Sequence, residues 1–231
     1  PYTILLDEIQ FVDRFVDVLN GFSHIDNIDI YVTGSNSRFL SSDILTEFRG
    51  RGDEVRVWPL SFAEYASVCQ DSLEDAFLNY MTYGGLPRIL SMKTDAQKIR
   101  YLENLFKETY LKDIIDHNQI RNTTELESLV NVLASAIGSL TNPTKLADTF
   151  KSHKSDISDK TIKRYMDYLQ DAFLIDCALR YDIKGRKYIG TPKKIYFVDT
   201  GLRNARLEFR QVEETHLMEN IIYNELKARG Y

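Results

Sequence analysis

The stretch Thr3-Ile4-Leu5-Leu6 carries no polar alternation, the pattern of a strand buried on both faces of a parallel sheet. It ends in Asp7-Glu8. Phe11, Phe15, Leu19 and Phe22 then recur at helical spacing, and Gly21 is placed to end that helix. A second strand, Ile28-Asp29-Ile30-Tyr31-Val32, runs into Thr33-Gly34-Ser35-Asn36-Ser37. The connection is long enough for one right-handed βαβ unit. A helix over about residues 43–48 and a third strand, Val55-Arg56-Val57-Trp58, closed by Pro59, complete the expected first part.

From residue 61 the period becomes helical. Phe77, Tyr80 and Met81 keep that spacing up to Gly84-Gly85-Leu86-Pro87, which predicts a break. Tyr101, Leu105 and the stretch to Ile115 predict a further helix. A helix from about Thr124 to Ile137 places Leu126, Leu129, Val130, Leu133 and Ile137 on one face. Asn142-Pro143 opens a second helix through Leu146 and Phe150, since proline suits a first helical position. Ser158 caps a third, Asp159 to Asp171, with Ile162, Tyr165, Met166 and Leu169 inward and Lys160, Lys163 and Arg164 opposite. Two β-like runs, Phe173 to Leu179 and Lys194 to Val198, flank the loop Lys184-Gly185-Arg186-Lys187. Three helices and a hairpin form a winged-helix order. A last amphipathic helix, His216 to Leu226, ends near Gly230. The expected class is α/β, then mainly α.

Composition narrows the setting. The chain has 231 residues and a net charge of −5, which argues against a surface coated for nucleic acid. Yet residues 145–195 hold twelve Lys/Arg against seven Asp, a local +5 in an acidic chain. Cys69 and Cys177 are too far apart to suggest a disulfide framework or a zinc spacing. His24, His117, His153 and His216 have no partner at ligand spacing. No apolar run approaches the ~18 residues that span a bilayer; the cysteine usage fits a reducing, cytoplasmic setting. The chain begins with Pro1 inside what reads as a strand, as a piece of a longer protein would.

In parallel sheets, ligands sit beyond the carboxyl ends of the strands, where Asp7-Glu8 and Ser35-Asn36 both fall. One carboxylate can hold Mg²⁺ while its neighbour polarises a water for attack on a phosphoryl group. A polar side chain on the adjacent strand can orient that water.

On these residues the chain resembles the AAA+ ATPases. Leu5-Leu6-Asp7-Glu8-Ile9-Gln10 is similar to a Walker B motif, and Thr33-Gly34-Ser35-Asn36-Ser37 to a sensor-1 strand end, with Ser35 or Asn36 as the sensor. Gly50-Arg51 resembles the arginine-finger position, with Arg49 as the less suited substitute. Pro59-Leu60-Ser61-Phe62-Ala63-Glu64-Tyr65 is similar to the segment that follows in one prokaryotic group, where a helical and winged-helix region is joined to the ATPase. Gly84-Gly85-Leu86-Pro87, Tyr110-Leu111-Lys112-Asp113-Ile114-Ile115, Ile157 to Ile162 and Val198-Asp199-Thr200-Gly201-Leu202 continue the likeness.

The resemblance implies Mg²⁺ and ATP as ligands of the intact protein, with Asp7 on the metal, Glu8, Ser35, Asn36 and Arg51 in catalysis, and a homo-oligomer to present Arg51. It divides the chain into an ATPase core segment (1–60), a helical linker (61–121), a winged helix (122–205) and the start of a restriction-nuclease-like domain (206–231), where Glu219 would lie near a metal site. No Gly-x-x-x-x-Gly-Lys-Ser/Thr loop occurs in the 231 residues, so nothing here would cradle the phosphates. This piece alone is expected to bind no cofactor and to be inactive. For the winged helix the residues leave DNA contact and protein docking open. Lys160, Lys163, Arg164, Lys184, Arg186 and Lys187 are the DNA candidates.

Overall fold

A computed structural model describes residues 2–34, 53–153, 155, 157–179, 192–210 and 213–231. The chain divides into two compact units, residues 1–56 with 171–173, and residues 57–170 with 174–231.

The first unit is a short parallel ladder with one helix. Strand β1 (Tyr2–Leu6) pairs with β2 (Ile28–Val32) in register, Leu6 opposite Val32, and α1 (Phe15–Phe22) lies on the crossover between them. Among the described residues its core is Ile9, Phe15 and Leu19, against which Leu6, Val16, Ile30 and Val32 pack. The expectation of strands buried on both faces is corrected: Leu5 is 75% exposed and its cross-strand partner Tyr31 is 61% exposed. Side chains alternate across a strand, and α1 covers only the face that carries Leu6 and Val32.

Two further expectations change. The helix does not start at Phe11, which is 83% exposed. A 3₁₀ turn, Ile9–Phe11, comes first, and Arg14 at φ 54° precedes α1. Ile9 takes the core position that the helical spacing had assigned to Phe11, and a left-handed residue cannot lie inside a right-handed helix. The helix also runs through Gly21 to Phe22 instead of ending there. Residues 55–58 are not a strand: they belong to no ladder among the described residues, and Val55 and Val57 are exposed. An extended sequence becomes a strand only where a neighbour accepts its hydrogen bonds.

The second unit is mostly helical. Ser61 and Glu64 form a reciprocal cap that opens α2 (Phe62–Val68). Helix α3 (Leu73–Tyr83) ends at Gly84, φ 78°, and a 3₁₀ turn (Pro87–Ser91) follows, so the predicted break is present. Helix α4 (Asp95–Asn104), capped by Thr94 and Gln97, runs directly into a π-helical stretch, Leu105–Leu111, and then α5 (Lys112–His117). Next come α6 (Thr123–Ser135), β3 (Leu140–Thr141), α7 (Pro143–Ser152), α8 (Asp159–Asp171), β4 (Ile175–Ala178) and β5 (Lys193–Phe197). The three strands are antiparallel in the order β3-β5-β4. The apolar faces expected for α6 and α8 are the buried ones, and Asn142 and Ser158 cap as their sequence positions indicate.

Helix α9 (Thr200–Arg206) is buried for most of its length and joins the unit together. Asp199 caps it, accepting from Leu202 N–H at 3.0 Å through Oδ1, while its Oδ2 accepts from Gly85 N–H at 2.7 Å. The approach is close because the glycines allow it: a Cβ at Gly84 would strike the Asp199 carboxylate, and one at Gly201 would strike the Tyr83 carbonyl. Asn204 Nδ2 donates to the carbonyls of Met81 (3.1 Å) and Thr82 (2.8 Å), and Arg203 Nε donates to that of Ala134 (2.8 Å). α9 therefore satisfies the carbonyl ends of both α3 and α6.

Helix α10 (Glu214–Ala228) completes the sheet from the side. Val198 N–H donates toward β4, to Leu174 O, so the polar groups of Phe197 face the side on which β3 has already ended. Fully buried Asn220 fills that place, its Oδ1 accepting from Phe197 N–H at 2.8 Å and its Nδ2 donating to Phe197 O at 2.7 Å. An orphaned buried backbone group costs roughly 1–3 kcal/mol, so this amide substitutes for a missing strand. Among the described residues no helix is long and apolar enough to cross a membrane.

Candidate functional site

The parallel ladder brings Asp7 and Glu8 to the carboxyl end of β1, beside Thr33-Gly34 at the carboxyl end of β2. Four hydrogen bonds build this corner. Thr33 N–H donates to Leu6 O at 2.9 Å and Ile9 N–H donates to Thr33 O at 3.0 Å, which continue the pairing past the last strand residues. Glu8 N–H donates to Thr33 Oγ1 at 3.1 Å, and that hydroxyl in turn donates to Asp7 Oδ1. Glu8 itself sits at φ 50°, a left-handed conformation uncommon for a residue with a Cβ. Asp7 is exposed and Glu8 half-buried. The result is two carboxylate-bearing residues side by side at the strand end, with one hydroxyl holding the backbone N–H of Glu8 and the carboxylate of Asp7.

Thr33 was legible only as part of a strand-end motif; its bond to Asp7 depends on the parallel register. Ser35, Asn36 and Arg51, with Arg49, lie outside the described residues. Of the basic candidates, Lys160, Lys163 and Arg164 are exposed together on α8. Lys184, Arg186 and Lys187 lie outside the described residues. Glu219 is held by a cation and a phenol: its Oε1 accepts from Lys194 Nζ at 2.6 Å and Tyr196 OH at 2.5 Å, bonds that draw its carboxyl below the usual range against the opposing effect of burial. Among the described residues no group of three or more His, Cys, Asp or Glu is arranged to hold a metal ion.

The buried polar network around α9 is the feature that periodicity could not find. Burial pushes Asp199 up to about 6, against the opposing effect of backbone N–H donors from Gly85, Leu202 and Gly201. Its signal in the sequence was two separate glycine-bearing turns, Gly84-Gly85 and Asp199-Thr200-Gly201, with nothing to indicate that they meet.

Residues 74–213 match the domain of unknown function DUF8612, more than half of the chain. The chain belongs to the DUF8612 family. Its residues 1–66 match an AAA domain, which relates the first unit of this DUF8612 protein to the P-loop ATPases. It is 36% identical over 232 residues to an uncharacterized protein of Haemophilus influenzae, covering 98% of this chain and 58% of that protein. An uncharacterized protein of Methanocaldococcus jannaschii is 28% identical over 243 residues, covering 99% of this chain and 53% of that protein. The DUF8612 chain thus spans a little over half the length of the curated relatives it matches.

Proposed function

We propose that the first unit carries the metal-and-water side of an ATPase site, with Asp7 helping to hold Mg²⁺ and Glu8 polarising the attacking water. The observation that supports this reading is the meeting of Asp7, Glu8 and Thr33 at the carboxyl ends of two parallel strands, within a segment that matches an AAA domain. The donor set suits the ion: carboxylate oxygens are hard ligands, and Mg²⁺ takes one or two of them together with phosphate oxygens and waters. When bound, it offsets charge on the phosphates during phosphoryl transfer. Thr33 anchors both carboxylate-bearing residues, so Asp7 and Glu8 keep their spacing while water comes and goes. Ser35 or Asn36 would orient the water, and Arg51 would reach the phosphate of a neighbouring subunit in a homo-oligomer. The phosphate-cradling loop would lie in the part of the longer relatives that this chain does not span.

The test uses the longer protein. Glu8→Gln should lower ATP turnover by about 10²-fold or more, the range of a lost general base, with ATP affinity nearly unchanged. Normal turnover in that variant would remove Glu8 from the chemistry.

A second reading concerns residues 122–205, which we infer to be a winged helix that contacts DNA through α8. The sheet order β3-β5-β4, laid beside three helices, favours this reading over an unspecific helical region, and the exposed Lys160, Lys163 and Arg164 favour DNA over a protein partner. Lys184, Arg186 and Lys187 would extend the same surface. We take residues 61–121 as the linker and 206–231 as the opening of the nuclease-like tail, in which Glu219 serves as an ion-pair partner to Lys194.

A further inference from the structure

The larger unit holds an open polar pocket of about 350 Å³ between the turn that precedes α6 and the outer side of α8. Arg121 and Asn122 line it from the turn, Glu125 from the first turn of α6, and Thr161, Arg164 and Tyr168 from α8. Sequence patterning had grouped Arg164 with Lys160 and Lys163, and had no reason to include Arg121. The fold brings it there.

Arg121 and Arg164 are both exposed, and among the described residues neither guanidinium is held in an ion pair. Two cations in one concavity repel each other unless an anion joins them, and Glu125 supplies only one carboxylate. A guanidinium presents a planar fork that matches phosphate oxygens two at a time. Asn122 and Thr161 add neutral polar groups to the lining. Lys160 stands one helical turn before Arg164 on the same exposed side, and Lys163 lies next to it. Those two lysines lie outside the pocket. A free phosphate seated between the arginines would leave them unused, whereas a polymer with regularly spaced phosphates would engage both.

We propose that this pocket seats one backbone phosphate of duplex DNA lying along α8, clamped between Arg121 and Arg164. The proposal rests on the winged-helix reading given above. It assigns Arg121 a binding role and gives the pocket a charge rule: cations at its two sides hold the strand, and Glu125 opposes it.

The experiment is a titration of the 231-residue chain against a short labelled mixed-sequence duplex, repeated between about 50 and 200 mM salt. The unaltered chain should bind with an affinity that falls steeply with salt. Arg121→Ala and Arg164→Ala should each weaken binding several-fold on any sequence and reduce the slope of log affinity against log salt by about 1. Glu125→Gln should act in the opposite direction and tighten binding about two- to fivefold, which separates a built pocket from damage to the fold. Lys107→Ala with Lys112→Ala, cations on the π-helical stretch and on α5, should leave the affinity unchanged. Absence of salt-dependent binding by the unaltered chain would overturn the DNA reading of the winged helix together with the pocket. Binding whose slope survives Arg121→Ala would overturn the pocket alone. Tighter binding to the single strand or to RNA of the same sequence would overturn the duplex assignment.

Discussion

The two units bury polar groups in opposite measure. Among the described residues the first has three buried apolar side chains in its core, exposes one face of its ladder, and keeps Asp7 exposed and Glu8 half-buried at the strand end. The second buries Asp199, Thr200, Arg203, Asn204 and Asn220 among its apolar residues and satisfies them with backbone partners. The difference teaches where polar residues of the same types do different work. In a lightly packed corner an exposed carboxylate such as that of Asp7 stays hydrated. Inside a dense unit it is a fastener, because an unpaired buried group is too costly to tolerate.

That contrast can be broken most severely at Gly201. A Cβ there meets the Tyr83 carbonyl, a backbone atom that cannot rotate away. Gly201→Ala should cost about 3 kcal/mol or more, seen as early melting of the helical signal. Melting unchanged from that of the unaltered chain would show that α9 is not the tie between α3 and its neighbours.

A similar effect, on the order of 3 kcal/mol for a shift of about two pH units, is expected from Asp199. Its folded pKa of about 6 lies above the ordinary carboxyl value of 3.8. The stability that this group confers is therefore fully present below about pH 4 and is lost as pH rises through about 6. Chemical denaturation at steps across that window, compared with Asp199→Asn, should show the decline in the unaltered chain and its absence in the variant. Parallel curves would mean that Asp199 titrates alike in both states.

The smallest effect belongs to the open corner. Thr33→Val removes the hydroxyl that accepts from Glu8 and donates to Asp7. Exposed hydrogen bonds are worth about 1 kcal/mol or less. The variant should show roughly fivefold faster amide exchange at Glu8, with the melting of the larger unit unchanged. Equal exchange at Glu8 would show that Thr33 does not hold the corner.

Much of this was visible along the chain. The faces of α6 and α8 were legible from their spacing, and the starts of α7 and α8 from Asn142-Pro143 and Ser158. Those features depend on residues a few positions apart. The two-residue strand β3 was too short to show any period. Phe11 was misread because its spacing fits a helix, while the core position went to Ile9 through a turn that a periodic pattern does not encode. Arg121 was missed because it stands outside every regular element.

By itself, the sequence determined the inward faces of α6 and α8, the capped starts of α7 and α8, and the placing of Asp7-Glu8 after a strand, since these follow from local backbone geometry and the spacing of apolar and polar residues. The tertiary structure alone decided that Thr33 would hold those two carboxylates, that Asp199 would lock into Gly84-Gly85, and that Asn220 would stand in for a strand. Each of these joins residues distant in the chain through one or two hydrogen bonds or a missing Cβ, and such contacts leave no periodic mark on either partner.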